Sequence, residues 1–164
     1  MNGVIAVMGS EGRLGSRLVD RARHAGEEIV HLPRVEAGRT ARLDDVMRAL
    51  GPDEVVINAA GRAHVPADAT ADVRADLRTS NIALPLVLAD RCLRTRSALV
   101  HLSSPKAGSQ STTEYARSKR EAEARLTDDF GHRFDAAGVV LVLARPPAVL
   151  APPFAVGKLS RLRW

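Results

Sequence analysis

Short runs of apolar residues recur along the chain, separated by longer segments that read as helices. The runs are continuous rather than alternating, which is typical of strands buried on both faces of a sheet. They predict five strands, at residues 4–8, 28–32, 54–58, 98–102 and 139–143. The segments between them predict helices at residues 14–25, 43–50, 71–94 and 113–130. Pro85 is expected to bend or break the third helix.

Strands and helices thus alternate along a chain of 164 residues, which is a common size for one domain. Strands that are apolar on both faces and alternate with helices predict an α/β fold. Its sheet would be parallel and doubly wound, with about five or six strands and helices on both faces. Ligands of such sheets bind at the carboxyl ends of the strands, near the switch in strand order. The residues that directly follow each strand are therefore the candidates for function.

Composition narrows the class of protein. Hydrophobic residues make up 45% of the chain and charged residues 26%, which is ordinary for a globular protein and argues against disorder. The net charge of +5 would suit nucleic acid, but acidic residues are mixed with the basic ones and aromatic residues reach only 3%, so we expect no nucleic-acid binding. No apolar run approaches the ~18 residues of a membrane span. Residues 1–10 show no signal peptide, and we expect a cytoplasmic protein without membrane contact.

Three glycines follow the first predicted strand with the spacing G-x-x-G-x-x-G. Gly9 permits a tight turn, Gly12 leaves room for a pyrophosphate at the start of the helix, and Gly15 lets helix and strand pack closely. Arg13 and Leu14, which open the helix, are further candidates to contact the phosphates. The motif predicts a dinucleotide site, and the alternative is a purely structural turn.

Arg34 follows the second strand, at the place where an acidic residue would bind an adenosine ribose. No Asp or Glu lies between Ile29 and Val35, and an Arg in this place can accommodate a 2′-phosphate. Arg13 could assist it. The sequence therefore favours NADP over NAD as the cofactor, without excluding NAD.

Residues with hydroxyl and ammonium side chains follow the fourth predicted strand. Ser103 and Ser104 directly follow this strand, and Tyr115 and Lys119 stand four residues apart on the next helix, hence on one face. Phenols normally have a pKa near 10, and a neighbouring ammonium lowers it. A serine hydroxyl can bond the substrate oxygen as its proton moves. Because Tyr115 is the only tyrosine, we interpret the pair as catalytic rather than as surface residues.

Other chemistries fit less well. The five histidines show no metal-ligand spacing, so we predict no metal site. Ser104 lacks the sequence pattern of a hydrolase nucleophile, which disfavours hydrolysis.

Further motifs follow the third and fifth strands, namely Asn58-Ala59-Ala60-Gly61 and Arg145-Pro146-Pro147-Ala148-Val149, with Asn81 in the helix between them. Together with the glycines, the serines and the Tyr–Lys pair, they resemble the short-chain dehydrogenase/reductase superfamily. Within it they resemble the extended branch, the NAD-dependent epimerase/dehydratase family. The resemblance covers essentially the whole chain and implies a Rossmann-type fold.

By this resemblance, Tyr115 would be the catalytic acid/base and Lys119 would bind the nicotinamide ribose. Ser104 would hold the substrate oxygen, with Ser103 as the alternative, and Asn81 would support the site. Hydride would pass between the nicotinamide and a carbon that bears oxygen. Small residues and one proline would also touch the cofactor, namely Ala59, Ala60, Gly61 and Pro146.

Extended members of the superfamily are about twice as long as this chain. We therefore expect residues 150–164 to begin a substrate domain that is largely missing, and a homodimer or a partner subunit could complete the cleft. The sequence predicts an NAD(P)-dependent oxidoreductase or epimerase-like enzyme acting on a hydroxyl or carbonyl of a sugar-like or small polar molecule. The alternative is a cofactor-binding homologue with non-redox proton transfer or a regulatory role.

Overall fold

The predicted parallel sheet is confirmed. A computed structural model describes residues 3–35, 41–63, 66 and 68–147, so the predicted start of a substrate domain at 150–164 lies outside the described residues. Three strands have the predicted bounds, the third begins one residue later, and the fifth begins two residues later and ends one residue later. The strands are β1 (Val4–Met8), β2 (Glu28–Leu32), β3 (Val55–Asn58), β4 (Ala98–Leu102) and β5 (Leu141–Ala144).

The order of the strands in the sheet is β2-β1-β3-β4-β5, and all neighbours are parallel. From β1 the chain goes to β2 at one edge of the sheet. It then crosses back to β3, on the other side of β1, and continues through β4 to β5 at the opposite edge. The sheet therefore switches direction between β1 and β3, which is where doubly wound sheets bind ligands. Register places Met8 beside both Leu32 and Asn58, and Asn58 beside His101.

Helices cover both faces of this sheet. Those of the described residues are α1 (Arg13–His24), α2 (Ala41–Arg48), α3 (Ala71–Arg78), α4 (Leu84–Thr95), α5 (Glu114–Arg125) and α6 (His132–Ala137). Helix α1 packs on β1 and β2, whereas α4 packs on β3 and β4 and against α2, α5 and α6. Because right-handed crossovers in opposite directions place their helices on opposite faces, α1 and α4 lie on different sides. The fold is a Rossmann-type α/β fold.

Two helical segments are longer or less regular than predicted. The segment after residue 71 stays helical to Thr95, with a π-helical turn at Thr79–Ala83. Pro85 does not break it: it lies just after the π-helical turn, where the regular pattern of backbone hydrogen bonds has already changed.

The predicted helix 113–130 continues through a π-helical segment, Leu126–Gly131, into α6. The helix therefore runs past its predicted end at Phe130 and through Gly131. Leu126, Phe130 and Phe134 are spaced by four residues and are all buried, so the apolar face continues past the glycine and holds the helix to the core.

The core fills the layer between the sheet and the helices. Its largest fully buried apolar side chains are Leu43, Met47, Leu88, Leu99, Leu126 and Phe134. In the part of the chain that the structure describes, no helix is long and apolar enough to cross a bilayer.

The turn between β1 and α1 leaves no room for a side chain at Gly9 or at Gly15. Gly9 has a φ of +77°, and a Cβ there would lie 2.7 Å from the backbone nitrogen of Ala60. A Cβ on Gly15 would lie only 2.0 Å from the carbonyl oxygen of Gly9. These glycines therefore hold β1, α1 and the end of β3 in direct backbone contact.

We predict that Gly15→Ala lowers the free energy of unfolding by about 1–3 kcal/mol, because the backbone of the turn must move. Gly131→Ala is the matched control: its Cβ would meet nothing within 4 Å, and helix propensity makes it neutral or stabilising by up to about 1 kcal/mol. Denaturant unfolding of both variants measures the difference. Equal stability of the two variants would contradict the packing described for this turn.

Candidate functional site

The start of α1 is arranged to receive an anion. Gly12 is exposed and takes the cap position with extended backbone, and no side chain caps the helix. The first turn carries no acidic residue, so the N-terminal end of the helix dipole is uncompensated there. A Cβ on Gly12 would approach only the carbonyl oxygen of Gly9, at 3.1 Å. Backbone N–H groups and open space together fit a pyrophosphate.

The turn after β3 is fixed by side chains beneath it. Asn58 is fully buried, and its Oδ1 accepts a hydrogen bond from the backbone N–H of Ala60 at 3.1 Å. Its Nδ2 lies 3.2 Å from Nδ1 of His101, which must accept, since the amide donates. Burial, together with the charge of Lys119, lowers the pKa of His101 to about 3. A neutral imidazole therefore orients Asn58.

Asn81 fixes the backbone of Arg62, where the same turn continues. Its Oδ1 accepts from the backbone N–H of Arg62 at 2.8 Å, and its Nδ2 donates to the carbonyl of Arg62 at 3.0 Å and to Oγ of Ser118 at 2.9 Å. A Cβ on Gly61 would lie 3.0 Å from Oδ1 of Asn81 and 3.2 Å from Nζ of Lys119. The loop after β3, the π-helical turn and α5 thus meet at Gly61.

Helix α5 presents three chemically active residues along one stripe. Tyr115, Lys119 and Glu123 are spaced by four residues and therefore share a face. Lys119 is 3% exposed, and its Nζ donates to the carbonyl oxygen of Leu102 at 3.1 Å. Burial lowers the pKa of Lys119 to about 8, although Glu123 acts in the opposite direction. The predicted pair thus consists of a buried ammonium and a half-buried phenol beside the end of β4.

Glu123 and Arg145 form an ion pair that the sequence analysis did not predict. Nε of Arg145 lies 2.9 Å from Oε1 of Glu123, and Nη2 binds the other carboxylate oxygen. Burial acts to raise the pKa of Glu123, but the guanidinium holds it below its ordinary value. Two features of the sequence could have indicated that these residues belong to the site: Glu123 follows Lys119 by one helical turn, and Arg145 directly precedes Pro146.

The two serines at the end of β4 are placed differently. The Oγ of Ser104 accepts a hydrogen bond from the backbone N–H of Lys106 at 3.3 Å and so caps a 3₁₀ turn, Pro105–Gly108. The hydroxyl of Ser103 is buried and faces the carboxylate of Glu123, whose pKa it helps to lower. Ser104 and Tyr115 stand at the two ends of the loop that leads from β4 to α5.

The remaining predicted cofactor contacts lie around the same edge of the sheet. Arg34 is exposed, two residues beyond the end of β2. Arg13 is exposed in the first turn of α1, where Leu14 follows it. Ala59 donates its backbone N–H to the carbonyl of Met8 at 2.9 Å. Pro146 follows β5 by two residues. The described residues contain no group of three or more His, Cys, Asp or Glu side chains that could hold a metal ion.

We predict that the buried ammonium makes stability depend on pH. The folded protein loses this proton near pH 8, whereas an ordinary lysine loses it near 10.5. Between these values the unfolded chain binds more protons, so the free energy of unfolding rises with pH, by at most about 1.4 kcal/mol per pH unit from this group.

Urea unfolding of the wild type and of Lys119→Met between pH 7.5 and 10 isolates this effect. The stability of the wild type should rise relative to that of the variant. Parallel pH profiles would contradict a lowered pKa for Lys119.

Comparison with solved structures supports the fold. A short-chain dehydrogenase from Streptomyces avermitilis matches with a TM-score of 0.77 and 20% identity, over 94% of this chain and 69% of its own. A short-chain dehydrogenase from Leptospira borgpetersenii with bound NAD⁺ matches with a TM-score of 0.76 and 15% identity, over 92% and 73%. The UDP-rhamnose synthase of Acanthamoeba polyphaga mimivirus matches with a TM-score of 0.69 and 16% identity, over 90% and 56%. The chain therefore spans little more than half the length of this last enzyme.

Sequence comparison identifies the family. No curated protein matches the chain. The model of the NAD dependent epimerase/dehydratase family, however, matches residues 5–153, which include the glycine turn, the Asn-Ala-Ala-Gly segment and the Tyr–Lys pair. The chain belongs to the NAD-dependent epimerase/dehydratase family.

Proposed function

We propose that the chain holds a nicotinamide dinucleotide at its switch point and, with it, interconverts a hydroxyl and a carbonyl group on a sugar-like or small polar substrate. The observation that carries this proposal is the buried Lys119. Its ammonium lies beside Gly61, where the loop after β3 meets α5, and one helical turn from Tyr115. A buried charge next to a phenol at this edge of the sheet favours proton transfer over a structural role.

The residues around the switch point fit such a cofactor. The uncapped start of α1 and the open space at Gly12 suit the pyrophosphate. The backbone of the turn after β3 contains only small residues, and Asn58 and Asn81 fix it from below. Arg34 is exposed where a 2′-phosphate would be bound. When bound, the nicotinamide ring supplies the hydride chemistry.

Tyr115 would exchange a proton with the substrate oxygen. Lys119 lies one helical turn from Tyr115, on the same face of α5. Its bond to the carbonyl of Leu102 fixes Nζ in place, and Glu123 supports its charge. A fixed ammonium thus lies on the helix face that carries the phenol proposed to move the proton.

Ser104 would hold the substrate oxygen in the same step. Its hydroxyl accepts from the N–H of Lys106, which leaves its proton to donate to a substrate. Ser103 is the alternative, since it directly precedes Ser104 and its buried hydroxyl lies at the same edge of the sheet, beside Glu123. The homodimer or partner subunit and the cytoplasmic location stay predictions.

For the cofactor, we predict that Arg34→Ala weakens NADPH binding about tenfold and leaves NADH binding nearly unchanged, because only NADPH carries the phosphate for a charge-assisted bond. Arg21→Ala is the control, with the same charge change on an exposed residue at the far end of α1. Calorimetric titration measures all three proteins. Equal losses for both cofactors would refute the role of Arg34, and no binding of either by the wild type would refute the proposed function.

For the proton transfer, we predict that Tyr115→Phe lowers kcat about 100-fold or more, the usual contribution of a general acid or base. The change removes one hydroxyl, so the Kd of the cofactor should stay within about twofold. Turnover is followed by the absorbance of the reduced nicotinamide over a panel of sugar and small alcohol substrates. Retained turnover would remove Tyr115 from the reaction.

A further inference from the structure

The loop between β4 and α5 connects the two proposed catalytic hydroxyls. Residues 105–112, here called the 105–112 loop, begin directly after Ser104 and end at Thr113, which caps α5. Most of the loop is polar and exposed. Such a segment has little apolar surface of its own to hold it in one conformation. Contacts from outside the loop would therefore help to hold it, and with it Ser104 and Tyr115 at its two ends, in one conformation.

Arg120 provides this anchor. Its Nη1 donates to the carbonyl oxygens of Ser109 at 2.7 Å and of Ala107 at 3.4 Å, and its Nη2 donates to that of Ser111 at 2.8 Å. One guanidinium thus binds three alternate carbonyls of the 105–112 loop. Arg120 directly follows Lys119 on α5, so the same helix carries the anchor and the proposed site.

The anchored loop is also bonded within itself. The backbone N–H of Ala107 donates to the carbonyl of Ser104 at 2.9 Å, that of Ser109 to the carbonyl of Lys106 at 3.3 Å, and that of Ser111 to Oγ of Ser109 at 3.2 Å. The residues whose carbonyls bind Arg120 are therefore those whose amides close the loop. Loss of the guanidinium would expose these amides to solvent together.

The planar fork of an arginine suits this set of bonds, which come from two of its nitrogens. A guanidinium offers five donors in a planar fork, whereas an ammonium offers three from one point. Arg117, three residues earlier on α5, is exposed, and the three described bonds to the loop all come from Arg120. Two arginines of one helix thus differ in their contacts with the loop.

We propose that Arg120 is a positioning residue, which fixes the 105–112 loop and thereby the placement of Ser104 relative to Tyr115. This inference rests on the proposed function for its catalytic consequence. Its structural part, the anchoring of the loop, is independent of cofactor and substrate. The two parts can be measured separately.

Hydrogen exchange of the full chain without cofactor tests the anchoring. Arg120→Met keeps the aliphatic stem and the helix propensity but removes every donor, and Arg117→Met is the matched control. Peptides covering residues 105–113 should exchange at least about tenfold faster in Arg120→Met, and at the wild-type rate in the control. Arg120→Lys should restore part of the protection. Unchanged exchange in Arg120→Met would overturn the proposal, whatever the wild-type chain binds.

Kinetics test the catalytic consequence once turnover is found. Arg120→Met should lower kcat about 10–100-fold, as misplacement of a catalytic group does, while the Kd of the cofactor stays within about twofold and Arg117→Met matches the wild type. Faster exchange with unchanged kcat would overturn the positioning role. Absence of cofactor binding in the wild type would instead refute the proposed function and leave the exchange result to decide on the anchor.

Discussion

Burial of one ammonium group is the constraint around which the candidate site is arranged. Moving a charge out of water costs several kcal/mol unless it is paired and hydrogen-bonded. Lys119 meets this requirement with the carbonyl of Leu102 and with Glu123, one helical turn away. Glu123 is 7% exposed and needs a partner in turn, which Arg145 supplies at the end of β5. Charges of alternating sign thus connect α5 to the last two strands of the described sheet.

The same constraint explains why the neighbouring polar groups are neutral. Burial lowers the pKa of His101 and the charge of Lys119 acts in the same direction, so the ring stays uncharged and accepts a hydrogen bond from Asn58. Asn58 in turn holds the backbone of the turn after β3, and Asn81 holds its continuation. The charge state of the buried His101 and the backbone conformation of the proposed cofactor cleft are therefore linked through Asn58.

The sequence predicted the parts of this structure that local patterns determine. The continuous apolar runs located the strands, and the i, i+4 spacing located Tyr115 and Lys119. The pairing of Glu123 with Arg145 could not be predicted, because it depends on how β5 packs against α5 across 22 residues of chain. The three carbonyls bound by Arg120 could not be predicted either, because every residue has a backbone carbonyl and its use does not depend on the side chain. The continuation of the last helix past Phe130 was not predicted, because it depends on the burial of Phe130 and Phe134 in the core.

A titration of the ¹⁵N-labelled chain with NAD⁺ and NADP⁺, followed by NMR, tests the central claim most directly, that the switch point between β1 and β3 holds a dinucleotide. The largest shifts should occur at the backbone amides of Leu14, Gly15, Ala60 and Gly61, while the amides of α2 and α6 stay unchanged. An absence of shifts with both coenzymes, or shifts confined to α2 and α6, would contradict the claim.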